Sequence, residues 1–290
     1  MGEAAIPVDL FNPGQVFACL GFIEAAERLF GDTEAAFDWQ EPAVRFHIRV
    51  DSTENPIAAV LTWLSKAKVT SAAPALSMNR TEKWTVPTWL QETQEPFPFP
   101  DPPSPATLPA LLTTADGTTL AIDHWGDATN RDNVKFWAGS GGYPGCGLLR
   151  DALDLVRARM KDAVADPFSL AAPQSSSFRF DWRRDYVPMD VGFSPNDHGD
   201  IVMTGFPLVE ILAAIGLGNA RPARQDKLTY RYAVIGGAPH AALFSPIFLR
   251  AALGVADLPF PRRTFRMHLD WPGQENQARC ITDVVEEEQP

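Results

Sequence analysis

The chain has 290 residues, 45% of them hydrophobic, 26 prolines and a formal net charge of −11. That length supports one large domain or two smaller ones with real cores, and the acidic balance argues against a free-standing nucleic-acid binder, which is ordinarily basic. No apolar run approaches the roughly 18–20 residues of a membrane helix, and MGEAAIPVDLF lacks the basic and apolar regions of a secretory signal.

Asn12-Pro13-Gly14 predicts a helix start, with Asn12 as cap and Pro13 in the first helical position. The helix runs to about Phe30 and stops at Gly31, and its small residues Ala18, Gly21, Ala25 and Ala26 permit close packing against a neighbour. Val44–Val50 alternates strictly, with Val44, Phe46, Ile48 and Val50 inward and Arg45, His47 and Arg49 outward, so it reads as a half-buried strand. A second helix, Pro56–Lys66, opens behind Asn55. Residues 92–109 are too proline-dense for helix or central strand; they form either an extended surface connection or a segment that docks on a partner. Strands are expected near Thr118–Trp125 and Asn133–Ala138, followed by a Gly-rich loop, Gly139–Gly147. A helix over Leu148–Val164 places Leu149, Leu153, Val156 and Met160 on its core face.

From Phe178 the period is again two, with Phe178, Phe180 and Trp182 on one side and Arg179, Asp181 and Arg183 on the other. This predicts a strand whose aromatic face is core, leaving Arg179, Arg183 and Arg184 for an anionic partner. An apolar helix, Phe206–Leu217, strands over Leu228–Ile235 and Thr264–Trp271, and a helix near Phe244–Leu253 complete the series. The strands are one-faced and do not alternate regularly with helices. The expected class is therefore α+β, a mainly antiparallel sheet with flanking helices and a long proline-rich connection. The organisation reads as an N-terminal α/β part (1–91), the connection (92–109), a main α+β part (110–282) and a solvated acidic tail (283–290). If the strands share one sheet, Arg45, His47, Arg49, Lys135, Arg179, Arg183, Arg231, Arg266 and His268 give it a basic open face; alternatively each pairs with a nearby carboxylate.

Cys19, Cys146 and Cys280 are far apart and none sits in a CxxC pair, which speaks against a disulfide framework or zinc site and for a reducing cytoplasm. Ala138-Gly-Ser140-Gly-Gly142 resembles a nucleophile elbow, yet Tyr143-Pro144-Gly145 separates Ser140 from the next helix. A loop whose amides approach a nucleic-acid backbone fits better, with a plain topological turn as the other reading. Asp197-His198 with Asp200 suggests a metal or base only weakly, since Asx-turns use the same residues. Asn133 and Lys135, Ser140, Gly141 and Gly142, and Arg179, Arg183 and Arg184 make up the candidate nucleic-acid surface. No cofactor or catalytic residue is indicated.

Four segments carry a family resemblance: IPVDLFNPGQVFACLGFIEAAE, IDHWGDATNRDNVKFWAGSGGYPG, SSSFRFDWRRDYVPMDVGFSPNDHGD and FPLVEILAAIGL. Together they resemble the small-format large subunit of type I-U (I-G) CRISPR Cascade effector complexes. The resemblance implies a non-enzymatic subunit that contacts the guide RNA and target DNA and recognises the protospacer-adjacent motif. It also implies backbone subunits and a helicase–nuclease as partners. In such complexes base pairing reads the sequence, while protein reads a short duplex motif and the backbone. An acidic subunit fits this arrangement, because its neighbours supply much of the basic channel.

Overall fold

The computed structural model describes residues 1–40, 43–92, 102, 104–126, 143–184, 203–237, 243–270 and 279–288. In chain order the N-terminal elements are β1 (Gly2–Pro7), α1 (Pro13–Phe30), β2 (Thr33–Asp38), β3 (Arg45–Val50), α2 (Pro56–Lys66), β4 (Lys68–Pro74) and β5 (Thr88–Gln91). There follow β6 (Ala110–Thr113), β7 (Thr119–Ile122), α3 (Gly145–Val156), β8 (Ala172–Pro173), β9 (Thr204–Gly205) and α4 (Pro207–Gly216). The last are β10 (Ala223–Arg224), β11 (Thr229–Ile235), α5 (Pro246–Leu253), β12 (Arg262–Asp270) and β13 (Cys280–Glu287). The fold is α+β. Its sheets have the orders β1-β3-β2, β5-β4-β6-β7, β10-β11-β12-β13 and β8-β9, and every pairing except β4 with β5 is antiparallel. No helix among the described residues is long and apolar enough to cross a membrane.

Local sequence accounts for much of this. Pro56 occupies the first turn of α2, which starts where expected, and the Asn55 side chain caps it by accepting from the Ala58 amide. Asn12 stands at the corresponding position of α1, but its side chain makes no cap; it is buried and used elsewhere. Gly31 ends α1 at φ 82° and donates its N–H to Glu27 O. α3 is shorter than expected: after Val156 the chain tightens into a 3-10 segment, Arg157–Ala163, although Leu149, Leu153, Val156 and Met160 are all buried as one face. The Arg157 guanidinium donates from there to the Ser65 and Ala67 carbonyls and so closes the end of α2.

Two expectations fail. The basic residues do not share one open sheet face: Arg45, His47 and Arg49 lie on β3, whereas Arg231, Arg266 and His268 lie in the sheet of β11 and β12. Carboxylates meet several of them, Arg49 reaching Glu34 and Glu3, His47 lying 4.0 Å from Asp38, and Arg231 pairing with Glu287. The acidic end of the chain is not a solvated tail through Glu287 either, because β13 pairs along β12. There Glu286 holds Arg263 at 2.6 Å across the ladder, an opposite-charge pair of the kind that favours one register.

One hydrophobic core runs through the helices and the inner faces of the sheets. The first and third sheets meet where β2 touches the end of β11: Phe37 bridges Gly236, and Ala35 bridges Phe244. Gly236 has φ 155°, and a Cβ there would lie 1.7 Å from Phe37 O, so the junction needs glycine. α1, buried on all sides from Pro13 to Ala26, is the central helix and packs most closely against α4.

Candidate functional site

The described parts of the four segments behind the resemblance (6–27, 122–126, 175–184 and 206–217) meet in one buried junction. α1 crosses α4 so closely that a Cβ on Gly21 would stand 2.0 Å from Leu212 O, and one on Gly216 would stand 2.1 Å from Phe17 O. His124 Nε2 lies 3.1 Å from Ala214 O, which binds the second segment to the fourth. Trp125 stacks on Phe178, with ring centroids 5.7 Å apart, and Phe178 stacks on Phe180 at 5.5 Å. Asn12 Nδ2 donates to Asp181 Oδ1 at 3.0 Å, tying the entrance of α1 to the third segment.

Glu210 is the centre of this junction. It is the one charged residue of α4 and is completely buried. Its carboxyl accepts the backbone N–H groups of Phe180 at 3.3 Å and Asp181 at 3.0 Å. Its pKa is raised to about 8, chiefly by burial and also by the Asp181 carboxylate, against the opposing pull of the two N–H donors and the Arg184 guanidinium. Asp181, also fully buried, takes a bidentate Arg183 guanidinium, with Nε at 2.9 Å from Oδ1 and Nη2 at 2.5 Å from Oδ2. The same Arg183 donates to Phe168 O at 2.8 Å and lies 3.4 Å over the Phe206 ring. Arg184 is buried and donates to Ser175 O at 2.9 Å and Gln174 O at 3.3 Å. Beside it, β8 pairs with β9, and the Gln174 amide donates to Met203 O at 2.8 Å.

Comparison with protein-family models, with curated proteins and with solved structures found no match. Geometry and sequence are therefore what a functional reading can rest on.

The candidate nucleic-acid residues divide in two. Asn133, Lys135, Ser140, Gly141 and Gly142 lie outside the described residues, as do Asp197, His198 and Asp200. Arg179, Arg183 and Arg184 are described, and they are brought together, but not on an open strand face. Residues 177–180 are irregular, Arg179 adopts φ 65°, and Trp182–Arg184 is a 3-10 turn. The left-handed Arg179 breaks the alternation, so Asp181 joins Phe178 and Phe180 inside. This corrects the expectation of free phosphate clamps: Arg183 is held by Asp181 and Arg184 by backbone carbonyls. Of the three aromatic residues expected in the core, Phe178 and Phe180 are buried there, while Trp182 is half-buried against it. Glu210 and Asn12 were not anticipated as partners of this segment. The signal for Glu210 was present, a lone acid inside PLVEILAAIG.

The three cysteines are free and buried, and burial pushes the Cys146 thiol up to about 12, so it is not a thiolate near neutrality. Among the described residues no group of His, Cys, Asp and Glu could hold a metal ion.

Glu210 makes stability pH-dependent. A carboxyl whose pKa rises on folding binds its proton more tightly in the native state. The stabilisation is complete below the ordinary value of 4.5 and is lost as the pH climbs towards and through about 8. Urea denaturation of the full chain at pH 5, 6.5 and 8 should show this fall. Glu210→Gln should flatten it, at a cost of roughly 1–3 kcal/mol at pH 5, because its amide NH2 opposes one of the two backbone donors. An unchanged slope in the variant would assign the pH dependence elsewhere.

Proposed function

We propose that this chain is a non-catalytic subunit of an RNA-guided Cascade surveillance complex. In this role it contacts the guide RNA and target DNA, takes part in recognising the protospacer-adjacent motif, and supports recruitment of the helicase–nuclease. The reading is carried by one observation: the segments that resemble the family, separated by up to about two hundred residues, interlock through Asn12–Asp181, Glu210–Asp181, His124–Ala214 and Trp125–Phe178. The described parts of these segments thus belong to one packed unit. With Arg183 and Arg184 engaged inside the junction, the expected nucleic-acid contacts shift to Asn133, Lys135 and the loop at Ser140–Gly142.

A second reading, a scaffold that joins other subunits without touching nucleic acid, is favoured by two observations. Several described guanidiniums are already engaged by carboxylates, and Leu76 and Met78 stand 94% and 91% exposed, as a protein-binding surface would have them. Reconstitution of the complex with and without this chain, on duplexes carrying or lacking the motif, separates the two. The proposed role predicts at least a tenfold loss of motif discrimination without the chain. It also predicts weaker binding, and a salt slope reduced by about 1, for Lys135→Ala. Full discrimination by a complex lacking the chain would overturn it.

A further inference from the structure

A second surface, on the side of the molecule formed by the end of α1 and the start of α5, has a character of its own. A cleft of about 480 Å3 is lined by the carboxylates of Glu27, Asp32, Glu34 and Asp51, by Arg49 and Arg250, and by Met1 and Ile247. Both guanidiniums are engaged: Arg49 with Glu34 and Glu3, and Arg250 with Glu24 and Glu27. Six carboxylates therefore share two guanidiniums and the Met1 amino group. Asp32 and Asp51 form no ion pair with another described residue and face the cleft. A neighbouring cleft of about 460 Å3 shares Glu27 and Arg250 and adds both Asp123 and Arg28, so the excess of carboxylates belongs to the first cleft.

Exposed apolar side chains adjoin this cleft: Ile247 and Met1, which line it, are 66% and 79% exposed, and Phe248, the next residue of α5, is 39% exposed. Phe248 packs edge-on against Phe260 at 5.3 Å, and Phe260 packs on Phe244 at 4.6 Å, so Phe248 is held by an aromatic cluster. An apolar patch beside unbalanced carboxylates suits an occupant that offers apolar side chains and cations together. It repels a polynucleotide, whose phosphates would meet Asp32 and Asp51.

We propose that this cleft docks a basic amphipathic segment of a partner protein, its apolar side chains on Ile247 and Phe248 and its Lys or Arg residues on Asp32, Asp51 and Glu34. The proposal does not depend on which assembly the chain belongs to, since it follows from the cleft's own charge and shape.

The test uses the full chain and a fluorescent Leu/Lys amphipathic helical peptide as probe, with Leu/Glu and Ser/Lys peptides and a short single-stranded RNA as comparisons. Anisotropy should show the Leu/Lys peptide binding best, with affinity falling as salt rises. Ile247→Glu, and the pair Asp32→Lys with Asp51→Lys, should each weaken it at least tenfold. The pair Asp162→Lys with Asp166→Lys, which makes the same charge change on exposed residues that do not line the cleft, should leave it within about twofold. Equal losses from both aspartate pairs, or equal binding of the Ser/Lys peptide, would reduce the effect to net charge and overturn the proposal. So would single-stranded RNA that displaces the bound Leu/Lys peptide, or a wild-type dimer that Ile247→Glu dissolves while the peptide fails to bind.

Discussion

Gly21→Ala should be among the most damaging single-methyl additions in this protein. At Gly21 the added Cβ would lie 2.0 Å from Leu212 O, and at Gly216 it would lie 2.1 Å from Phe17 O, so each helix presses its glycine against the other's backbone. A side chain in the way can swing aside, but a carbonyl within a helix moves only with the helix. The two axes would have to separate, and the core around Phe17, Leu20, Leu208 and Leu212 would open with them. Overpacking of an ordinary core costs about 1–3 kcal/mol, and a backbone obstruction belongs at or above that range. Against a total stability of roughly 5–15 kcal/mol, Gly21→Ala and Gly216→Ala should each lower the urea midpoint sharply, and Gly21→Val should prevent folding. Gly254→Ala is the control, since its nearest contact would be an ordinary 3.5 Å. Midpoints for Gly21→Ala and Gly254→Ala that agree would contradict this account of the crossing.

The second large effect concerns Arg183. Its guanidinium is bidentate on Asp181, which is wholly buried. Removing one partner of such a pair leaves an uncompensated charge inside the protein, which costs about 3–5 kcal/mol. Arg183→Ala should therefore unfold the protein at markedly lower urea. Arg183→Lys should rescue only part of the loss, because an ammonium cannot bridge both carboxylate oxygens. Asp181→Ala combined with Arg183→Ala should cost clearly less than the sum of the two single changes, the signature of a coupled pair. If Arg183→Ala leaves the midpoint unchanged while weakening nucleic-acid binding, Arg183 is a phosphate contact and not a structural anchor. The distinction matters for function, because a loss of binding in an Arg183 and Arg184 double variant is uninterpretable without the stability measurement.

How far the sequence revealed this fold depends on how local the signals are. α1, α2 and β3 could be placed closely because Pro13, Gly31, Asn55-Pro56 and the alternation of RFHIRV are read within a few residues. β1 (GEAAIP) and β2 (TEAAFD) carry no such pattern; they are strands because β3 pairs with both. β13 looked like a solvated tail because its carboxylates are counted in sequence, whereas in space they face Arg263 and Arg231. The segment at 178–184 misled in a different way. Its period of two is real in the sequence, and Phe178 and Phe180 are core, but a left-handed Arg179 and the Glu210 carboxyl that accepts the Asp181 N–H turn it inward. The arginine part of the candidate site was thus legible as a cluster of residues and misread as a surface. Close packing through Gly21 was legible because small residues in a helix have few other uses.

The proposed function makes its most direct claim about what travels with the chain. Affinity purification of the tagged full-length protein from its own cells, followed by sequencing of the co-purified RNA, tests that claim in one step. The account predicts guide-length RNAs that share a constant 5′ handle and carry CRISPR spacers, together with backbone subunits in the same preparation. A folded, soluble preparation that brings down no such RNA, or only bulk cellular RNA lost at moderate salt, would contradict it.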